Sequence, residues 1–109
     1  MSVQVIIDQV GPLPIKGTFN SVTDEPVYLE VNGSVWTPLV NEMIGIDIQV
    51  DGQYVGTAHI FSNGSSTHRA VVPAYIQVQL GEGPHAVTLS AAAETVSDSN
   101  DYYTAVIHY

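Results

Sequence analysis

The 109-residue chain contains no cysteine. Disulfides, thiolate zinc sites and a cysteine nucleophile are therefore excluded. Positive charge is almost absent too: Lys16 and Arg69 stand against eleven acids, a formal net charge of −9. Such a chain repels phosphate backbones and anionic lipid surfaces, so no nucleic acid and no membrane surface is expected as a partner. Charged residues make up only 12%, about half the usual share. Ser, Thr, Asn, Gln and Gly must supply the polar surface. Long apolar runs are missing as well. The start, MSVQVIIDQV, has only Val5-Ile6-Ile7 before Asp8, which suits neither a signal sequence nor a membrane span. The expectation is a soluble protein.

Helix signals are equally scarce. No window carries an apolar helical stripe of three turns. Ala91-Ala92-Ala93-Glu94 is the one local helix former, and it follows a strand so directly that it reads as extended. No Gly-x-Ser-x-Gly elbow, phosphate loop or dinucleotide fingerprint occurs, so no enzyme is expected. A carboxylate pair drawn from Glu30, Glu42 or Asp47 leaves a small hydrolase as a remote alternative.

What the chain does have is period two. Ile44, Ile46, Ile48 and Val50 alternate with Gly45, Asp47 and Gln49, giving one apolar and one polar face. Asp51-Gly52 follows, a tight hairpin turn by its tolerance of positive φ. Gln53–Phe61 returns. A two-residue turn sets Ile48 against Val55, Ile46 against Thr57 and Ile44 against His59. A bulged three-residue loop would instead place Tyr54, Gly56, Ala58 and Ile60 on the isoleucine face. The Asp-Gly pair favours the first register. Under it, both faces of the returning strand carry apolar groups, which marks the hairpin as a candidate subunit interface.

Further alternations predict strands over 3–7, 15–19, 27–31, 34–37, 68–72, 74–80, 85–91 and 103–109. Asn32-Gly33, Asn63-Gly64 and Gly81–Pro84 predict the turns between them. Both Asn-Gly-Ser triplets also fit the glycosylation pattern. Eight or nine short strands drawn from these ten segments, without helices, mean an all-β sandwich or barrel in one domain over 1–109.

Three groups of residues invite a chemical reading. In the loop Asn63–Arg69, Asn63, Ser65, His68 and Arg69 gather hydrogen-bonding groups near Tyr75. Polar groups beside an aromatic platform suit a sugar, whose apolar face packs on the ring; the plainer alternative is a surface loop with Arg69 paired to a carboxylate. Asp98, Asn100 and Asp101 set oxygen donors beside Tyr102, a second sugar platform. The same oxygens suit calcium, although no glycine stands sixth and no glutamate closes a twelve-residue loop; a solvated strand connection is the alternative. No other cofactor is expected. His59, His68, His85 and His108 lack metal spacing. Of the adjacent pair Tyr102-Tyr103, only one can serve the core. Trp36 fits either core or edge.

The run from Asp51 to Ala92 resembles small jelly-roll modules of bacteria and phages. There an Asp-Gly hairpin precedes an Asn/Ser loop with a histidine, and a Gly-x-His-x-Val-x-Leu strand follows, here Gly83-Pro84-His85-Ala86-Val87-Thr88-Leu89. The pattern is similar to tumour-necrosis-factor-like jelly rolls. The resemblance implies an antiparallel β-sandwich of jelly-roll type and a homo-oligomer, with a trimer favoured. The functional expectation is a carbohydrate-binding module, with an assembly protein built on homo-oligomer contacts as the alternative.

Overall fold

A computed structural model of the chain describes residues 2–109. Nine strands form two antiparallel sheets: β1 (Val3–Val10), β2 (Ile15–Ser21), β3 (Val27–Val35), β4 (Glu42–Val50), β5 (Gln53–Ser62), β6 (Arg69–Ala70), β7 (Ala74–Val78), β8 (Gly83–Ala91) and β9 (Tyr102–His108). The front sheet runs β1-β9-β3, with β7 and the short β6 both paired along the far side of β3. The back sheet runs β2-β8-β4-β5. Successive strands mostly alternate between the sheets, which is the jelly-roll arrangement. No helix occurs among the described residues, and none is long and apolar enough to cross a membrane.

Alternation explains the layers. The inward faces of β4, β3, β8 and β9 supply Ile44, Ile46, Ile48, Leu29, Val31, Val87, Leu89, Tyr103, Ala105 and Ile107, all essentially inaccessible to solvent. Burying one such branched side chain stabilises by about 1.5–3 kcal/mol relative to exposure. These strands therefore settle with their apolar set inward, and their polar set is left on the two outer faces.

Four sequence expectations need correction. First, the hairpin turn has two residues, with positive φ at both Asp51 and Gly52, and Val50 pairs with Gln53. A bulge one residue later then resets the register, so Ile48 pairs with Gly56, Ile46 with Ala58 and Ile44 with Ile60. His59 consequently faces away from the isoleucines. Burial decides the matter: the bulge turns Ala58 and Ile60 toward the core and sends His59 and Thr57 out. Secondly, Asn32-Gly33 is no turn. β3 runs straight through it and pairs with β9 there. Gly33 stands opposite Tyr103, whose ring occupies the space a Cβ would need. Thirdly, a bulge between Val5 and Ile7 breaks the first alternation: Ile7 is buried while Val3 and Val5 are exposed. Fourthly, the strand expected over 68–72 shrinks to Arg69–Ala70.

Candidate functional site

Cross-strand pairing sets the outer face of the front sheet. On β9 the inward set is Tyr103, Ala105 and Ile107, so Tyr102, Thr104, Val106 and His108 point out. Val10, Asp8, Val5 and Val3 of β1 stand beside them. On β3, Tyr28 pairs with His108, Glu30 with Val106 and Asn32 with Thr104. On β7, Gln77 pairs with Tyr28 and Tyr75 with Glu30. The face thus presents three tyrosines, Tyr28, Tyr75 and Tyr102, which are 51%, 64% and 47% exposed.

The polar groups between them form one network. Glu30 Oε1 lies 2.7 Å from His108 Nε2. Glu30 Oε2 accepts from the Tyr75 hydroxyl at 3.1 Å and from Asn32 Nδ2 at 3.3 Å. The Tyr102 hydroxyl donates to Asp8 across the neighbouring strand. Each of these two phenols reaches a carboxylate on the adjacent strand, which lays its ring across the gap between strands. The hydrogen bond to Glu30 raises the Tyr75 phenol, and the bond to Asp8 raises that of Tyr102. Both rings stay neutral donors at ordinary pH. Register places Tyr28 and Tyr102 about 20 Å apart along β3, at roughly 3.3 Å per residue.

The second cluster lies at the loop end of the sandwich. Asp101 is fully buried. Its Oδ1 accepts from Ser34 Oγ at 2.8 Å and meets His68 Nδ1 at 2.7 Å, and its Oδ2 accepts from the Asp98 amide at 2.9 Å. Asp98 Oδ1 accepts from the Asn100 amide, and Asp98 Oδ2 lies 3.7 Å from His68 Nε2. The hydrogen bond to Asp101 raises His68 above the usual imidazole range. Half-buried Trp36 packs its ring 5.8 Å from that of His68. His68, Asp98 and Asp101 place three ligand atoms close enough to share one metal ion.

The sequence-predicted site residues therefore separate. Tyr75 and Tyr102, expected in two different clusters, share the front face. His68, expected near Tyr75, joins Asp98 and Asp101 instead. Arg69 pairs with Val35 in β6, five residues along β3 from the level of Tyr75, or about 17 Å. Among the described residues every ion pair is between a histidine and a carboxylate, so Arg69 finds none. Ser65 Oγ donates to the Pro38 carbonyl, and the Ser66 amide donates to that of Thr37, so this loop is spent on holding its neighbour. Asn63 is exposed and Asn100 contributes only its backbone amide. Glu30 and Asp47 lie on opposite outer faces of the sandwich, which ends their pairing as catalytic carboxylates.

Tyr28, Glu30, Asn32 and His108 were not among the expected binding residues. Alternation in 27–31 and 103–109 does put Tyr28, Glu30 and His108 outward, whereas Asn32 reads as part of a turn. That those outward rows adjoin depends on β3 pairing with β9 across more than seventy residues, and no local signal carries this.

No family model matches the chain, and no curated protein matches its sequence. Solved structures do match. One is described as the EclA C-terminal domain, a sugar-binding protein: 14% identical, TM-score 0.50, covering 95% of this chain and 75% of that one. Another is the carbohydrate-binding module CBM36 in complex with calcium and xylotriose: 12% identical, TM-score 0.49, covering 99% and 87%. A third is the CBM36-1 domain of a multidomain xylanase from the hindgut metagenome of Trinervitermes trinervoides: 13% identical, TM-score 0.49, covering 99% and 98%. At such identities the likeness is one of fold.

Proposed function

We propose that residues 1–109 form a non-catalytic carbohydrate-binding module whose binding surface is the outer face of the front sheet. The observation that carries this reading is the set Tyr28, Tyr75 and Tyr102 on one exposed face, with Glu30, Asn32 and His108 between the rings. Aromatic rings offer an apolar surface to the C–H face of a sugar, and the polar groups between them meet its hydroxyls. Two of the rings are held by carboxylates, so little side-chain freedom is lost on binding. A separation of about 20 Å between the outermost rings suits a chain of several sugar units lying along β3. The sandwich of the EclA C-terminal domain belongs to a sugar-binding protein, which is consistent with this use of the fold.

The engagement of the carboxylate on the tyrosine face supports non-catalytic action. Glu30 has both oxygens engaged by His108, Tyr75 and Asn32.

Calcium at Asp98, Asn100 and Asp101 fits poorly. Both Asp101 oxygens already accept hydrogen bonds, Asn100 offers a backbone donor, and the third group within reach is the nitrogen of His68. Calcium takes six to eight oxygen ligands. The cluster acts instead as a clasp joining the 63–68 and 97–101 loops.

The test is affinity electrophoresis of the wild type through gels containing neutral polysaccharides, with Tyr75→Ala and Tyr102→Ala beside it. Each substitution is expected to weaken binding about five- to tenfold, corresponding to roughly 1–1.4 kcal/mol for a buried aromatic contact. Unretarded wild type across xylan, β-glucan and mannan gels refutes the reading.

A second reading, assembly through homo-oligomer contacts, has one observation in its favour. Met43, Phe61 and Val72 line an exposed groove of about 390 Å³ beside β5. Exposed apolar patches of this kind mark contact surfaces.

A further inference from the structure

A cleft of about 470 Å³ opens between the free edges of β5 and β7. That volume lies within the range of clefts that hold small ligands. Val55 and Val78 contribute apolar surface to it, while Gln53, Gln77 and Asp51 contribute polar groups. Asp51 is already committed: Oδ2 meets His85 Nδ1 at 2.6 Å and Oδ1 accepts from the Ala86 amide at 2.9 Å. The side chains of Gln53 and Gln77 make no hydrogen bond among the described residues, and both are exposed. Gln79, on the same cleft, donates to the Asp24 carbonyl and is tied back.

A free primary amide presents one acceptor and two donors on a planar head. Two neighbouring sugar hydroxyls present the complementary set, since each both donates and accepts. Unlike a carboxylate, which can only accept, or an ammonium, which can only donate, an amide answers both roles of a hydroxyl pair. Neither Lys16 nor Arg69 lines the cleft or the tyrosine face, whereas Asp51, Glu30 and Asp8 do. Anionic sugars therefore meet these carboxylates with no lysine or arginine to offset them. Gln77 also belongs to the tyrosine face, where it stands opposite Tyr28. A single glycan can lie on the rings and reach over the β7 edge into the cleft.

We propose that this cleft is a second subsite, in which Gln53 and Gln77 hydrogen-bond an uncharged unit of the same glycan that lies on Tyr28 and Tyr75. The proposal rests on the carbohydrate reading above and names its ligand class: neutral glycans long enough to span both surfaces, with uronate chains excluded. The test is an NMR titration of ¹⁵N-labelled full chain with cellohexaose, xylohexaose and mannohexaose, and with the corresponding disaccharides. A galacturonate hexamer serves as the charged comparison. At least one neutral hexasaccharide is expected to shift the side-chain amide signals of Gln53 and Gln77 together with backbone signals around Tyr28 and Tyr75. The Gln53→Ala, Gln77→Ala double variant is expected to raise that hexasaccharide's Kd about five- to twentyfold, with an unchanged urea melt. Shifts on the tyrosine face without shifts at the two glutamines overturn the cleft and leave the carbohydrate reading standing. So does a double variant that binds as tightly as the wild type. Galacturonate binding equal to that of the neutral chains overturns the ligand class. No shifts with any neutral glycan overturn the carbohydrate reading, and the subsite with it.

Discussion

Gly33→Ala tests the geometry that decides which face Tyr102 occupies. Gly33 sits within β3 and pairs with Tyr103 of β9. A Cβ there would overlap the Tyr103 ring and would lie 3.0 Å from both the Ile46 side chain and the Tyr102 carbonyl. Two of these neighbours are rigid, a buried ring and a strand backbone, so the overlap cannot be relieved by moving a flexible tip. Overpacking of this kind costs about 1–3 kcal/mol. The gain from replacing glycine within a regular element offsets about 0.5–1 kcal/mol of it. The net expectation is a loss of up to about 2.5 kcal/mol, or a fall in Tm of up to roughly 15 °C for a domain of this size. Urea and thermal melts followed by circular dichroism give the value. Gly81→Ala serves as the control: its nearest neighbour is 3.9 Å away and its φ is not positive, so it should be neutral or slightly stabilising.

A glycine required by a hairpin turn would also resist alanine, so stability alone does not separate the two cases. A double-mutant cycle with Tyr103→Leu does. If the ring is what the new methyl meets, removing it relieves the clash, and the two substitutions couple favourably by about 1 kcal/mol or more. Additive effects would refute the close packing of Gly33 on Tyr103, and with it the inward placement of Tyr103 that leaves Tyr102 on the outer face.

Protonation of the turn latch gives stability a pH dependence. The hydrogen bond to Asp51, then that to the Gly81 carbonyl, raises His85 above its ordinary 6.5. Burial works against the Asp51 charge, yet the bonds from His85 and the Ala86 amide outweigh it and lower Asp51 below 3.8. The raised His85 stabilises fully below its unfolded pKa near 6.5, and this is lost as pH rises through its folded value. The lowered Asp51 stabilises above 3.8, and this is lost as pH falls through its folded value. Exposed His68, raised by Asp101, acts in the same sense as His85. Tm should therefore fall between pH 6 and pH 8, and a His68→Gln, His85→Gln variant should lose that fall; an unaltered slope in the variant refutes the assignment. For the assembly reading, sedimentation should show an oligomer that Phe61→Asp dissociates. A wild-type monomer at 100 μM would set the Met43–Phe61–Val72 groove aside as a subunit contact.

Side-chain patterning alone was enough to establish the class of fold and most of its strands. Period-two alternation over 44–50, 85–91 and 103–109 reports burial on one face, and burial is a local consequence of side-chain polarity. It also determined that one of Tyr102 and Tyr103 must leave the core. Three things lay beyond it. Asn32-Gly33 has the composition of a turn, yet the glycine is needed for a neighbour seventy residues away, and composition does not reveal which demand a glycine answers. The bulges at Val5–Ile7 and after Ile48 are single-residue insertions that reverse facing without leaving a mark in composition. The site, finally, is a product of adjacency: Tyr75, Glu30 and His108 lie on three strands far apart in sequence, brought side by side only by the order β9-β3-β7. Hydrophobicity chooses which residues turn inward. Which outward residues become neighbours is chosen by how the strands pair, and that is settled by packing the whole sandwich at once.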